Sequence, residues 1–153
     1  MKLAVICFGA NDSVQEGGEG GEDLYVPLPL FKTNMEDILS AFRAHNPSVC
    51  VILVTPPTVN SQLWPNRSPH RTAAYAQVVR DVGKGAQAES AVHVQVLDLW
   101  AEGEGERERG AVNVGDLCDG IHLASSGNDK VRILRFRMEE AQTNILCTLT
   151  LYP

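Results

Sequence analysis

Three short apolar runs punctuate the chain: Leu3 to Phe8, Val49 to Val54 (VCVILV) and Val92 to Leu97 (VHVQVL). Each has strand length and is rich in β-branched residues, and the stretches between them are long enough for helices. Continuous apolar runs of this kind read as strands buried on both faces. Their alternation with helices predicts a parallel sheet with helices packed on both sides. The first helix is expected over Leu30 to His45, where Phe31, Met35, Ile38, Leu39 and Phe42 recur at the 3.6-residue period and Asn46-Pro47 stops it. The second should run from about Pro69 to Ala88, with Ala73, Ala76, Val79 and Val82 on one face and its end weakened by Gly83 and Gly85. A third begins near Ser125 or Ser126 as N-cap, turning Val131, Leu134 and Met138 to the core. Glu16 to Asp23 and Ala101 to Gly110 read as charged, Gly-rich surface loops. The first superficially resembles a phosphate-binding loop, but its carboxylates would repel phosphate and no Lys follows at P-loop spacing.

Length and composition narrow the field. At 153 residues the chain fits one domain with a sizeable core, and 44% hydrophobic content is enough to fill it. A net charge of −6 disfavours nucleic acid or an anionic membrane as partner. The four cysteines, Cys7, Cys50, Cys118 and Cys147, are scattered without a C-x-x-C pair, which fits free thiols in a reducing compartment better than a disulfide framework or a metal site. No apolar run approaches the ~20 residues needed to span a bilayer, and no signal-peptide pattern is visible. The expectation is a cytoplasmic protein.

The chemistry concentrates in two places. Asp119-Gly120-Ile121-His122 puts a carboxylate and an imidazole three residues apart in a Gly-containing turn. There the carboxylate can hold one ring nitrogen while the other takes a proton from a nucleophile. Gly9-Ala10-Asn11-Asp12 follows the first apolar run, where the Asn11 amide could reach the carboxyl edge of the sheet and donate to an oxyanion. Each has a plainer reading: Gly-Ala-Asn-Asp makes a good turn on its own, and D-x-x-H arises easily by chance.

Taken together, the motifs resemble the SGNH (GDSL-type) hydrolases, and within them the isoamyl acetate-hydrolysing esterases. GAND is followed by Val26-Pro27-Leu28-Pro29-Leu30-Phe31, by Thr55-Pro56-Pro57 after the next strand, by Arg71 and Tyr75-Ala76, by Asp98-Leu99-Trp100 and by DGIHLASSGN from Asp119. The resemblance covers roughly residues 3 to 130. It implies a three-layer α/β/α, flavodoxin-like fold whose parallel sheet lacks its first two strands, over a domain of residues 1–142 with an atypical tail at 143–153. It also implies that Asn11 is the side-chain donor of an oxyanion hole, Gly9 and Asp12 brace that loop, His122 is the general base and Asp119 its orienting partner.

In the family pattern the nucleophilic Gly-Asp-Ser block and a Gly that donates its backbone N–H both precede GAND, and eight residues stand before Gly9 here. Ser13 has no nucleophilic role in that pattern, so the chain is expected to hold no nucleophile and to be inactive alone. Three functions compete: a hydrolase of small acyl esters by a Ser-His-Asp mechanism, a non-catalytic remnant that binds or regulates, and an unrelated flavodoxin-like binding module. Triad hydrolysis requires no metal and no organic cofactor. The loop from Pro56 to Arg71, with Pro56, Pro57 and Trp64, is expected to wall the substrate pocket. An unpaired Leu3–Phe8 strand is expected to be an apolar edge prone to self-association.

Overall fold

β2 (Cys50–Val54) is the centre of the sheet, and all five of its residues are buried. In the computed structural model, which describes residues 3–17, 23–88, 93–100 and 112–132, β2 pairs in parallel with β1 (Leu3–Cys7) on one side and β3 (Val94–Leu97) on the other. Parallel neighbours need crossovers, and α1 (Leu28–His45) and α2 (Pro69–Ala88) supply them. Cys7 stands opposite Val54, and Val54 opposite Leu97, so the three strands end level. The loops leaving them share one edge, the place where open parallel sheets carry their sites.

Two successive crossovers of the same hand put both helices on one face. Phe31, Met35 and Leu39 of α1 close with Tyr75, Val79, Val82 and Ala86 of α2 over Ala4, Ile6, Val51, Leu53 and Val94. The Phe31 and Tyr75 rings meet at 5.0 Å between centroids, tilted by 58°. The opposite face of β2 and β3 is covered by Leu99, Val112 and Leu117, with Leu123 and Val131 packed beside them. Residues 125–132 are helical, as expected from the Ser-rich start. Leu134, Met138, the Ala101–Gly110 loop and the tail 143–153 lie outside the described residues, as do residues 18–22 of the acidic loop.

Several expectations shift. β1 is buried on one face only: Ala4 and Ile6 point into the core, while Val5 is 62% exposed and Leu3 and Phe8 also face outward. An edge strand has a neighbour on one side, and here no layer covers its second face among the described residues. α1 starts two residues earlier than predicted, with Pro27 at its N-cap and Pro29 in the first turn, where a missing N–H removes no helical bond. It stops at Asn46 as expected, and the Asn46 side chain accepts from the Ser48 N–H at 3.1 Å. Phe42, assigned to the core face, is largely exposed.

Gly83 has a packing role in α2. The helix runs to Ala88, and a Cβ at Gly83 would overlap Val96 Cγ2, so the glycine lets α2 approach β3 closely. Beyond the strand ends, Thr55 and Asp98 tie β2 to β3. Thr55 Oγ1 donates to Asp98 Oδ1 at 2.9 Å and accepts from the Leu99 N–H at 2.8 Å, while Arg80 of α2 grips the same carboxylate at 2.8 and 3.1 Å. Thr55 and Asp98 of the TPP and DLW motifs are thus a splice between layers.

Candidate active site

The loop after β1 is held from several directions. Gly9 has φ +108°, a backbone region that favours glycine, and a Cβ there would stand 3.1 Å from Pro56 Cγ. Asp12 Oδ2 accepts the Gly9 N–H at 2.9 Å and closes the turn from inside. Arg71 of α2 donates to the carbonyls of Ser13 and Val14 at 3.1 and 2.9 Å. Ser13 itself is fully buried, its hydroxyl shared between the Ala10 carbonyl and Thr72 Oγ1, so it has no access to a substrate.

Asn11, by contrast, is exposed at the loop tip. Its Oδ1 accepts from Arg67 Nη2 at 3.1 Å, and Arg67 Nη1 donates to the Ala10 carbonyl. Arginine has only donors, so this contact fixes which way the amide points: oxygen toward Arg67, and Nδ2 with its two hydrogens away from it.

The second element is the turn between Leu117 and Leu123, which form an antiparallel bridge closed by a 2.8 Å bond from Cys118 N–H to the His122 carbonyl. Within it Asp119 Oδ1 accepts the backbone N–H groups of Ile121 and His122 at 3.0 and 2.8 Å. Oδ2 meets His122 Nδ1 at 2.7 Å. A carboxylate can only accept, so Nδ1 carries the hydrogen and Nε2 is left as the basic nitrogen. The backbone N–H of His122, its ring and the Ile121 N–H, in that order, hold the Asp119 carboxyl well below the usual carboxylate range. The His122 side chain is 76% exposed, and Nε2 is unengaged among the described residues.

Asp116 braces the two ends of this turn through Asn113, Lys130 and Ala124. Burial alone would raise its pKa, but hydrogen bonds from Lys130, the Asn113 N–H and Ser126 outweigh burial and lower it. Its carbonyl accepts the Ala124 N–H at 2.7 Å, and a Cβ at Gly127 would lie 2.5 Å from that same oxygen. Gly127 therefore lets the helix at 125–132 start directly against the turn.

A strap from Asn60 to Arg67 joins the two elements. The Asn60 N–H donates to the Gly120 carbonyl and Trp64 Nε1 donates to the Asp119 carbonyl, both at 2.8 Å. Arg67 lies over the Trp64 ring at 5.9 Å and then reaches Asn11. Contacts thus run unbroken from Asn11 through Arg67 and Trp64 to Asp119 and His122. Trp64 is partly exposed beside the base turn, whereas Pro56 and Pro57 are buried, with Pro56 as the floor under Gly9. Arg67 could not be singled out from sequence, because a lone basic residue in a Pro-rich loop reads as a solvated charge. Only the pairing of a donor-only side chain with Asn11 in space reveals it.

Residues 2–130 match the model of the GDSL-like lipase/acylhydrolase family. The chain belongs to that family. A GDSL esterase/lipase of Arabidopsis thaliana is 27% identical over 139 residues, covering 82% of this chain and 53% of the relative. A second from the same plant is 25% identical over 145 residues, covering 82% of this chain and 54% of the relative. The chain thus spans about half the length of the curated relatives it matches. Among solved structures, a lipase/acylhydrolase from Enterococcus faecalis superposes with TM-score 0.64 at 25% identity, over 90% of this chain and 60% of that one. An acetylxylan esterase from Geobacillus stearothermophilus gives 0.58 at 16% identity, over 89% and 58%, which shows the shared fold. Among the described residues of this GDSL-family chain, no three His, Cys, Asp or Glu side chains gather to hold a metal ion, and no helix is long and apolar enough to cross a membrane.

Proposed function

We propose that this chain carries the base and part of the oxyanion site of an ester hydrolase acting on small acyl esters, most similar to the isoamyl acetate-hydrolysing subgroup. The observation that carries the reading is the 2.7 Å contact from His122 Nδ1 to Asp119 Oδ2, which leaves Nε2 exposed and basic. In the mechanism, Nε2 takes the proton of a serine hydroxyl as it attacks the ester carbonyl. Asp119 stabilises the imidazolium that results, and Asn11 Nδ2 donates to the oxyanion. His122 then returns the proton to the departing alcohol. Gly9 and Asp12 brace the Asn11 loop, and Trp64, beside the base turn, forms one wall for the acyl or alcohol group.

The serine of this scheme is not among the residues that match the family pattern here. The 153-residue chain alone is therefore expected to hydrolyse esters no faster than His122 can activate water. Losing one oxyanion donor already lowers the rate on the order of 10²–10³-fold, and losing the nucleophile removes the covalent route. The test compares short-chain aryl esters with this chain and with the same chain joined to the first two strands of a full-length relative. The joined protein should turn over, and His122→Ala should abolish that. A folded but dead joined protein, or rapid His122-dependent turnover by the 153 residues alone, overturns the reading. The exposed outer face of β1 favours a second reading, a non-catalytic binding or regulatory member of the same fold, and a dead joined protein would select it.

A further inference from the structure

Arg67 is 6% exposed, lies in a loop between β2 and α2, and touches the tip of a different loop 56 residues earlier in the chain. Both of its acceptors there, the Ala10 carbonyl and Asn11 Oδ1, are neutral oxygens. No carboxylate pairs with it among the described residues. A buried cation is expensive to keep unless its donors are used; here both Nη groups are used on the Asn11 loop, while the buried Nε has no partner among the described residues.

We propose that Arg67 is the positioning residue for the Asn11 amide, setting its rotamer and strengthening its N–H as a donor toward the oxyanion. The inference rests on the reading of Asn11 as an oxyanion donor. Three physical points carry it. A guanidinium offers only hydrogens, so the amide cannot flip without facing donor to donor. The planar fork engages the backbone at Ala10 and the side chain at Asn11 together, which a lysine ammonium, a point charge on a flexible stem, cannot do with the same rigidity. A positive charge bound at Oδ1 polarises the amide and leaves Nδ2–H more acidic, an effect that is larger away from bulk water. The Trp64 ring beneath the guanidinium restrains the fork and ties it to the base turn.

A purely structural role for Arg67, sealing the Ala10 carbonyl, makes a different forecast. The first readout needs no activity: the mobility of the Asn11 side-chain amide by nitrogen-15 relaxation in the 153-residue chain, with its signal assigned by loss in Asn11→Ala. The amide should be as ordered as the backbone in the native chain and mobile in Arg67→Met, while backbone amides beyond the loop stay unchanged. An amide that remains ordered in Arg67→Met overturns the proposal. If that variant does not fold, Arg67→Lys, which keeps the charge and loses the fork, decides on the same readout. The second readout uses the joined, ester-hydrolysing protein. There Arg67→Lys should lower kcat by about 10- to 100-fold with KM within about twofold, the size expected for a misplaced donor. Asn11→Ala combined with Arg67→Lys should be no slower than Asn11→Ala alone. Additive losses, or a raised KM with unchanged kcat, overturn the proposal. A joined protein that is inactive from the outset counts against the proposed function, and the relaxation result then stands alone for Arg67.

Discussion

Asp119 divides its carboxylate between two tasks. One oxygen gathers the backbone N–H groups of Ile121 and His122, and the other orients the imidazole. Its folded-state pKa is therefore depressed, with the His122 N–H as the largest cause. Because the folded value lies below the unfolded one near 3.9, the stability this group lends the turn is complete above about pH 4 to 5. It is lost as pH falls toward the depressed folded value. Carbon-13 titration should find Asp119 still ionised at a pH where an ordinary aspartate is half protonated, and Asp119→Asn should release the His122 ring from its fixed tautomer. A midpoint in the ordinary range would mean the three hydrogen bonds do not persist in solution. The dyad was legible in the sequence because its partners sit three residues apart and a Gly between them permits the turn. Arg67 was not, because its significance depends on an acceptor in a distant loop.

Elements show the same division. The 3.6-residue period of Ala73, Ala76, Val79 and Val82 outlined α2, but the close approach at Gly83 was not legible, since periodicity sees one helix and not the strand it lies on. Helix propensity alone predicts that Gly83→Ala stabilises α2 by up to about 1 kcal/mol. The overlap with Val96 Cγ2 predicts the reverse. Overpacking of this kind costs about 1–3 kcal/mol, so the net effect should be a lowered Tm. Adding Val96→Ala should remove the clash and return part of the loss, whereas a raised Tm in the single variant would show that α2 and β3 can separate without penalty. The strands were readable as apolar runs, yet the run at β1 did not reveal that one of its faces is uncovered among the described residues. A continuous apolar stretch reports composition and not which neighbours exist.

At the scale of the whole molecule, the three strands of the described residues stand in the order β1-β2-β3, with α1 and α2 as their crossovers. Among the described residues the outer face of β1 is uncovered, with Leu3, Val5 and Phe8 outward beside a strand edge that pairs on one side only. Apolar strand edges recruit further strands. The 153-residue chain is expected to self-associate and to bind an apolar dye, and Val5→Lys should shift sedimentation toward monomer while leaving the melting transition within about 0.5 kcal/mol, as for other exposed positions. A native chain that sediments as monomer without dye binding would show the face to be harmless. The strap from Asn60 to Arg67 has one more consequence. Asp119 and His122 meet within a single turn, a contact of short sequence separation, whereas Asn11 is set by a side chain 56 residues away and Asp119 is anchored to Trp64 across 55. Local opening of an exposed segment removes the contacts that segment makes and leaves those made within a neighbouring turn. Loosening of the strap alone would thus leave an intact histidine–aspartate pair beside an Asn11 amide that had lost its orientation, so the arrangement on which the proposed function rests can be lost while most of the fold persists.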